Sequence, residues 1–216
     1  MVTIGPAILG EGPVKVCVPL VGRTVEELLS ECTYLADKPS DVAELRIDFL
    51  GTEYDKAAIL EATAQVRQHL QDRGLLFTWR TKDEGGEKDI SVDQYFDLLN
   101  TVIVSGHVDA IDIEYFFDQA RMQDTIALAK AHNVTVIMSN HDFDKTPTQE
   151  EIEKRLIGMK KAGADVAKLA CMPQSSDDVL ALMAATNEVR KQYPNEPLIT
   201  MAMGQLGLVT RICGTV

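Results

Sequence analysis

The sequence predicts a (β/α)8 TIM barrel, an α/β fold, behind a short N-terminal segment, and three observations predict it. Apolar, β-rich runs alternate with helical runs from residue 14 almost to the last residue. They recur at intervals of about 30 residues, room for one strand, one helix and two short loops. The loop after the first run reads VPLVGRT, which is neither G-x-G-x-x-G nor G-x-x-x-x-G-K-[ST], so the phosphate cradles of open doubly wound sheets are missing. Finally, five of the runs carry polar or ionisable residues, most of them toward their C-terminal ends. Strands in a βαβ series have both faces covered, so such groups must point into a polar interior, and a barrel lumen supplies one.

Taken in order, the N-terminal MVTIGPAILGEG sets an apolar TIGPAIL between turn glycines, and spacing alone fits a frayed tail as well as a hairpin. The strands begin at Val14 (VKVCVPL), Val42 (VAELRIDF), Gly74 (GLLFTWR), Val108 (VDAIDIEYF), Val134 (VTVIMSNHDF), Asp165 (DVAKLAC) and Pro197 (PLITMAMG). Between them lie TVEELLSECTYLADK, DKAAILEATAQVRQHLQD, SVDQYFDLLNTVIVSG, FDQARMQDTIALAKAHN, TQEEIEKRLIGMKKAGA and SSDDVLALMAATNEVRKQY, with apolar residues at three- and four-residue steps. Thr24 with Glu27, Ser91 with Gln94 and Thr148 with Glu151 fit the capping box, in which each side chain satisfies the other's orphan amide. Gly22, ahead of the first capped helix, reads as a turn residue rather than an anion site. No linker divides the chain, so residues 1–216 are read as one barrel domain. An eighth strand and helix are not visible, and typical barrels run to about 250 residues. The domain is therefore expected to lack its last strand–helix unit.

Charge and composition narrow the function. Asp and Glu number 33 against 21 Lys and Arg, a net charge of −12 that repels nucleic-acid backbones and anionic membranes at long range. No run of about 18 apolar residues or signal peptide is present, so a cytoplasmic protein is expected. The four cysteines (Cys17, Cys32, Cys171, Cys213) form no C-x-x-C pair and share no ligand spacing with the histidines, which predicts reduced thiols and no metal.

The strand from Val42 is the most unusual, with Glu44, Arg46 and Asp48 alternating with Ala43, Leu45, Ile47 and Phe49. Thr78 and Arg80, Asp112 and Glu114, Ser139 and His141, and Lys168 continue the pattern, mostly at the strand ends where barrel enzymes build their sites. Lys168 lies in VAKLA, where burial and nearby cations such as Arg46 or Arg80 favour a neutral, nucleophilic amine. A buried salt bridge to Glu44 or Asp112 is the competing reading. His141 is either a proton shuttle near neutral pH or a satisfied core histidine. His69, His107 and His132 fall in helices or their ends and are assigned no chemistry. Arg46, Arg80 and Arg211, on or after strand ends of an acidic chain, point to a small carboxylate substrate, because the guanidinium fork matches carboxylates bidentately.

Six segments together resemble the type I 3-dehydroquinate dehydratases, the Schiff-base enzymes of the shikimate pathway. They are ELRIDF (44–49), FTWRTKDEGG (77–86), IDIEYF (111–116), SNHDF (139–143), VAKLA (166–170) and ITMAMGQLGLVTR (199–211). The resemblance implies conversion of 3-dehydroquinate to 3-dehydroshikimate without metal or organic cofactor. By it, Lys168 forms the imine and His141 moves the proton, while Glu84 orients His141. Glu44, Arg46, Arg80 and Arg211 hold the ring hydroxyls and carboxylate, and Met203 packs beside the imine. It also implies that the N-terminal segment is a hairpin closing the barrel floor. The chain departs from the family at Pro19, where a polar side chain is usual, and has no positions for the serine and glutamine of the family's last loop. A class I Schiff-base aldolase, with GQLG (204–207) imitating a phosphate site, and a non-catalytic anion-binding barrel are the rival readings. Apolar positions read as outward on late helices, such as LIGM (156–159), would permit a homodimer.

Overall fold

The computed structural model describes residues 1–51, 53–70 and 72–214. Two short strands, β1 (Val2–Ile4) and β2 (Ala7–Leu9), pair antiparallel across a tight turn. They are followed by β3 (Cys17–Leu20), β4 (Val42–Arg46), β5 (Gly74–Thr78), β6 (Ala110–Glu114), β7 (Thr135–Asp142), β8 (Val166–Cys171) and β9 (Leu198–Ala202). These seven are parallel and stand side by side in sequence order. Helices α1 (Val25–Leu35), α2 (Lys56–Leu70), α3 (Val92–Ser105), α4 (Gln119–Ala131), α5 (Gln149–Lys161) and α6 (Ser176–Gln192) make the crossovers. The strand–helix alternation read from the sequence is thus observed, and the N-terminal segment is a hairpin rather than a tail.

The sheet is strongly curled. Neighbouring strands lie about 4.8 Å apart, so β4 and β8, four places apart in the strand order, would be roughly 19 Å apart if flat. Yet Lys168 Nζ on β8 comes within 3.3 Å of Glu44 Oε1 on β4. The seven strands form a half-barrel whose end strands, β3 and β9, are not paired with each other.

Residue parity sorts the two faces. Outward residues such as Leu45, Phe77, Ile111, Val136 and Leu169 join the helices in one large apolar core. Inward Val42, Leu76, Ala110, Ile137 and Val166 meet Ile4 and Ala7 of the hairpin in a second, smaller cluster that plugs the barrel floor. The hairpin sits close: Thr135 Oγ1 donates to the Thr3 carbonyl at 2.6 Å, and a side chain on Gly74 would collide with the Ile4 carbonyl.

Some local readings change. Helix periodicity sets Ile152, Leu156 and Met159 on the buried face of α5, and Ile157 packs partly against the core, so LIGM offers no outward apolar patch. Of the three expected capping boxes only Ser91–Gln94 is reciprocal. Glu27 accepts instead from the Arg23 amide, and Glu151 turns to Arg155. A reciprocal box that the sequence reading missed, Ser175 with Asp178, starts α6. The amides of Val21 and Gly22 donate to Glu31 of α1 at 2.9 and 3.1 Å, so the loop after β3 binds the protein's own carboxylate.

Candidate active site

Above the apolar floor the inward positions of the five middle strands become polar within one alternation. Glu44 follows Val42, Thr78 follows Leu76, Asp112 follows Ala110, Ser139 follows Ile137 and Lys168 follows Val166. One further step up stand Arg46, Arg80, Glu114 and His141. The alternation fails once: after Arg46 the chain leaves the strand for a 3-10 turn, Ile47–Phe49, which buries Asp48 completely. There Asp48 grips Arg46 bidentately at 2.9 and 2.8 Å.

Arg80 is the electrostatic hub and is 3% exposed. Its guanidinium meets Asp112 at 2.9 Å, Glu114 at 3.0 Å and the Ser139 hydroxyl at 2.9 Å, with Glu84 at 3.6 Å. Burial opposes its charge, but Asp112 and Glu114 outweigh that and raise its proton affinity further. Burial likewise disfavours the Asp112 carboxylate, yet Arg80 and Lys168 hold it well below the usual range. The Asp112 Oδ1 atom accepts from Ser139 at 2.6 Å. Glu114 is pushed up by burial, against Arg80 and two hydrogen bonds from Thr81. Ion pairs this deep persist because each charge is matched; removing one partner strands the others.

Lys168 lies between Glu44 at 3.3 Å and Asp112 at 3.6 Å. This is the salt bridge weighed against the nucleophile reading. The cations expected beside it, Arg46 and Arg80, are each engaged with carboxylates of their own. Thr78 donates to the same Glu44 oxygen at 2.9 Å, which fixes that carboxylate over the amine.

Glu84 reaches His141 through a turn that only glycines permit. Gly85 has φ +84°, with the Phe143 ring where a side chain would stand, and a side chain on Gly86 would strike the Arg80 carbonyl. The turn delivers Glu84 Oε2 to His141 Nδ1 at 2.9 Å and to the His141 amide at 3.0 Å, while Oε1 accepts from Asn140 at 3.0 Å. The Phe143 ring stacks on the imidazole, centroids 6.5 Å apart. Burial, then Arg80 and Lys168, lowers the His141 pKa to about 2, so the ring is neutral. Burial and Glu114 push the Glu84 carboxyl upward, opposed by Arg80 and the Asn140 hydrogen bond. The neutral ring carries a single proton, on either Nδ1 or Nε2. We assign it to Nδ1, because Glu84 already accepts two other N–H donors, an arrangement that favours the carboxylate.

The structure brings together Lys168, Glu44, Arg80, Glu84 and His141, with Arg46 on the next step of β4. Met203, half-buried just past β9, donates its amide to the Cys171 carbonyl at 2.7 Å. Arg211 stands apart, exposed on the 3-10 turn Leu208–Arg211. It is the one arginine of that set with no carboxylate partner among the described residues. Sequence reasoning passed over Asn140 and Arg155. A polar residue following Val136 and Met138 on the outward face of β7 was the available signal.

The family model described as type I 3-dehydroquinase matches residues 16–216. The chain belongs to the type I 3-dehydroquinase family. Among the family's curated 3-dehydroquinate dehydratases, that of Lactiplantibacillus plantarum is 47% identical, over 96% of this chain and 82% of its own. One from Klebsiella pneumoniae is 46% identical, over 99% and 85%. The crystal structure of type I 3-dehydroquinate dehydratase from Clostridium difficile with covalent modified comenic acid superposes with a TM-score of 0.96 at 40% identity. It covers 100% of this chain and 85% of that one. Membership places the chain among lyases on a TIM-barrel-like fold. Among the described residues no helix is long and apolar enough to cross a membrane.

Proposed function

We propose that this protein dehydrates 3-dehydroquinate to 3-dehydroshikimate through an imine on Lys168, with His141 as general acid and base. The observation that carries the reading is the joint placement of a buried amine and a neutral, carboxylate-oriented imidazole at the polar end of one half-barrel. The covalent ligand in the Clostridium difficile relative supports a site that bonds to what it binds.

The ion pairs assign the first step. Lys168 must lose a proton before it attacks the ring ketone. Asp112 is a poor acceptor because Arg80 holds it ionised, which leaves Glu44, 3.3 Å away. The amine adds to C3 of the substrate and water leaves, giving a protonated imine that accepts electrons from the adjacent carbon. With Nδ1–H engaged by Glu84, the other ring nitrogen, Nε2, removes the C2 proton. It then returns that proton to the departing C1 hydroxyl, and hydrolysis frees Lys168. Arg80 already meets two carboxylates and acts as the counter-charge that keeps the site assembled. Arg211, uncommitted, is suited to the substrate carboxylate, with Arg46 as its second donor and Met203 beside the imine.

Borohydride reduction in the presence of 3-dehydroquinate tests this. The expected result is an adduct mapped to Lys168, and for Lys168→Met no adduct with a fall in kcat on the order of 10⁴-fold or more. Turnover that survives in Lys168→Met, or an active wild-type protein that never yields an adduct, would overturn the proposal.

A further inference from the structure

Glu84 is gripped from behind as well as from the imidazole side. Asn140, 4% exposed, donates from Nδ2 to Glu84 Oε1 at 3.0 Å, while its Oδ1 accepts from Arg155 Nη1 at 2.9 Å. Arg155 is fixed in turn by Glu151, whose Oε1 accepts from its Nε at 2.9 Å, and by stacking over Phe116 with 5.4 Å to the ring centroid. The Asn140 amide therefore has only one acceptable orientation. Flipping it would set its NH₂ against a guanidinium and its oxygen against a carboxylate.

We infer that Asn140, anchored by Arg155, is a positioning residue that keeps Glu84 a hydrogen-bond acceptor and so determines which nitrogen of His141 is free for proton transfer. The inference deepens the acid–base role proposed for His141 and rests on it. Glu84 stands between opposed influences: burial, then Glu114 from β6, favours its protonation, whereas Arg80 from the end of β5 and Asn140 from β7 favour the carboxylate. Without the Asn140 donor, Glu84 takes the Nδ1 proton and presents it back to that nitrogen as a donor, while Nε2 takes up a second proton from solvent. The ring then carries its own proton on Nε2, and the nitrogen that should act as base is blocked. The pair gains one proton from solvent, and no bond between heavy atoms changes.

Asn140→Asp is close to isosteric, keeps an acceptor for Arg155 and replaces the donor facing Glu84 by an oxygen. In ¹⁵N-histidine spectra of the full chain, wild-type His141 should show a protonated Nδ1 and a bare Nε2, and Asn140→Asp should reverse the pattern. With 3-dehydroquinate, kcat should fall on the order of 100-fold while KM moves less than about twofold, since the binding groups are untouched. Arg155→Met, altered on the helix rather than in the lumen, should give a mixed pattern and about a 10-fold loss of kcat. If Asn140→Asp does not fold, Arg155→Met carries the test alone. Wild-type spectra and kcat in whichever folded variant is measured, or Nε2–H already in the wild type, overturn the inference. A tautomer reversal in a protein that never dehydrates 3-dehydroquinate would instead sink the proposed function and leave the inference standing.

Discussion

Floor and mouth of this half-barrel lie one alternation apart on the same strands, yet they are held by opposite physics. The floor is Val42, Leu76, Ala110, Ile137 and Val166 closed by Ile4 and Ala7, all apolar and nearly all fully buried. The mouth is Asp112, Glu114, Arg80 and Lys168, almost as deeply buried, with the half-buried Glu44 beside them, all bound by matched charge. Apolar burial is non-directional and tolerates adjustment, whereas a buried charge network fixes each member's position and proton. The floor can therefore anchor strands of many sequences, and the mouth cannot exchange one residue without disturbing the others.

The sharpest way to break the contrast is at Arg80. Arg80→Met leaves Asp112 and Glu114 buried without their main counter-charge, and the unfolding free energy should fall by about 3–5 kcal/mol, read by urea titration at neutral pH. A loss under about 1 kcal/mol would show that the mouth is far wetter than its geometry implies. At the floor, Ile137→Ala should cost about 2–4 kcal/mol through lost burial and a residual cavity, with kcat of the remaining folded protein within a few-fold of wild type. If kcat collapsed in step with stability, floor and mouth would not be separable.

The smallest effect is the pH dependence. His141 has a lower pKa folded than unfolded, so the unfolded chain binds the extra proton and stability falls as pH drops below about 6.5. Glu84 is raised, so its contribution is greatest below about 4.5 and is lost as pH rises through its folded value. Between these limits the two slopes oppose each other, and the wild type should be nearly flat across pH 4.5 to 6.5 as far as this pair is concerned. His141→Gln removes one slope. Its unfolding free energy should rise on acidification through that window by up to about 1.4 kcal/mol per pH unit relative to wild type. Parallel curves for the two proteins would show that His141 is not held neutral in the folded chain.

The fold was legible because period and spacing are local properties: every parallel strand and helix left its apolar rhythm in the chain. The inward set was legible for the same reason, since a charge inside a covered strand has few places to go. What could not be read was who pairs with whom. Lys168 and Glu44 lie 124 residues apart and meet only because the sheet curls. The sequence reading set an activated amine against a salt bridge to Glu44 or Asp112, and the curl brings both carboxylates to it. The departure of Asp48 from strand alternation, and the turn of Glu151 away from its cap toward Arg155, are choices between near-equal hydrogen bonds that neighbours in space decide. Asn140 escaped notice because Glu84 lies 56 residues away on another turn, and because nothing local marks Arg155, on the next helix, as turning back to the strand.

Gly85 illustrates how narrowly such a centre can be varied. Its left-handed backbone and the aromatic ring seated against it leave no room for even a methyl group, so an alanine there would have to swing Phe143 aside or unwind the bend that delivers the carboxylate. A residue with no side chain, no charge and no contact with any reacting atom is thus as constrained as the imidazole it helps to aim. Mutational scans scored by turnover should find position 85 intolerant, and an inventory drawn up from reactive groups alone would pass it by.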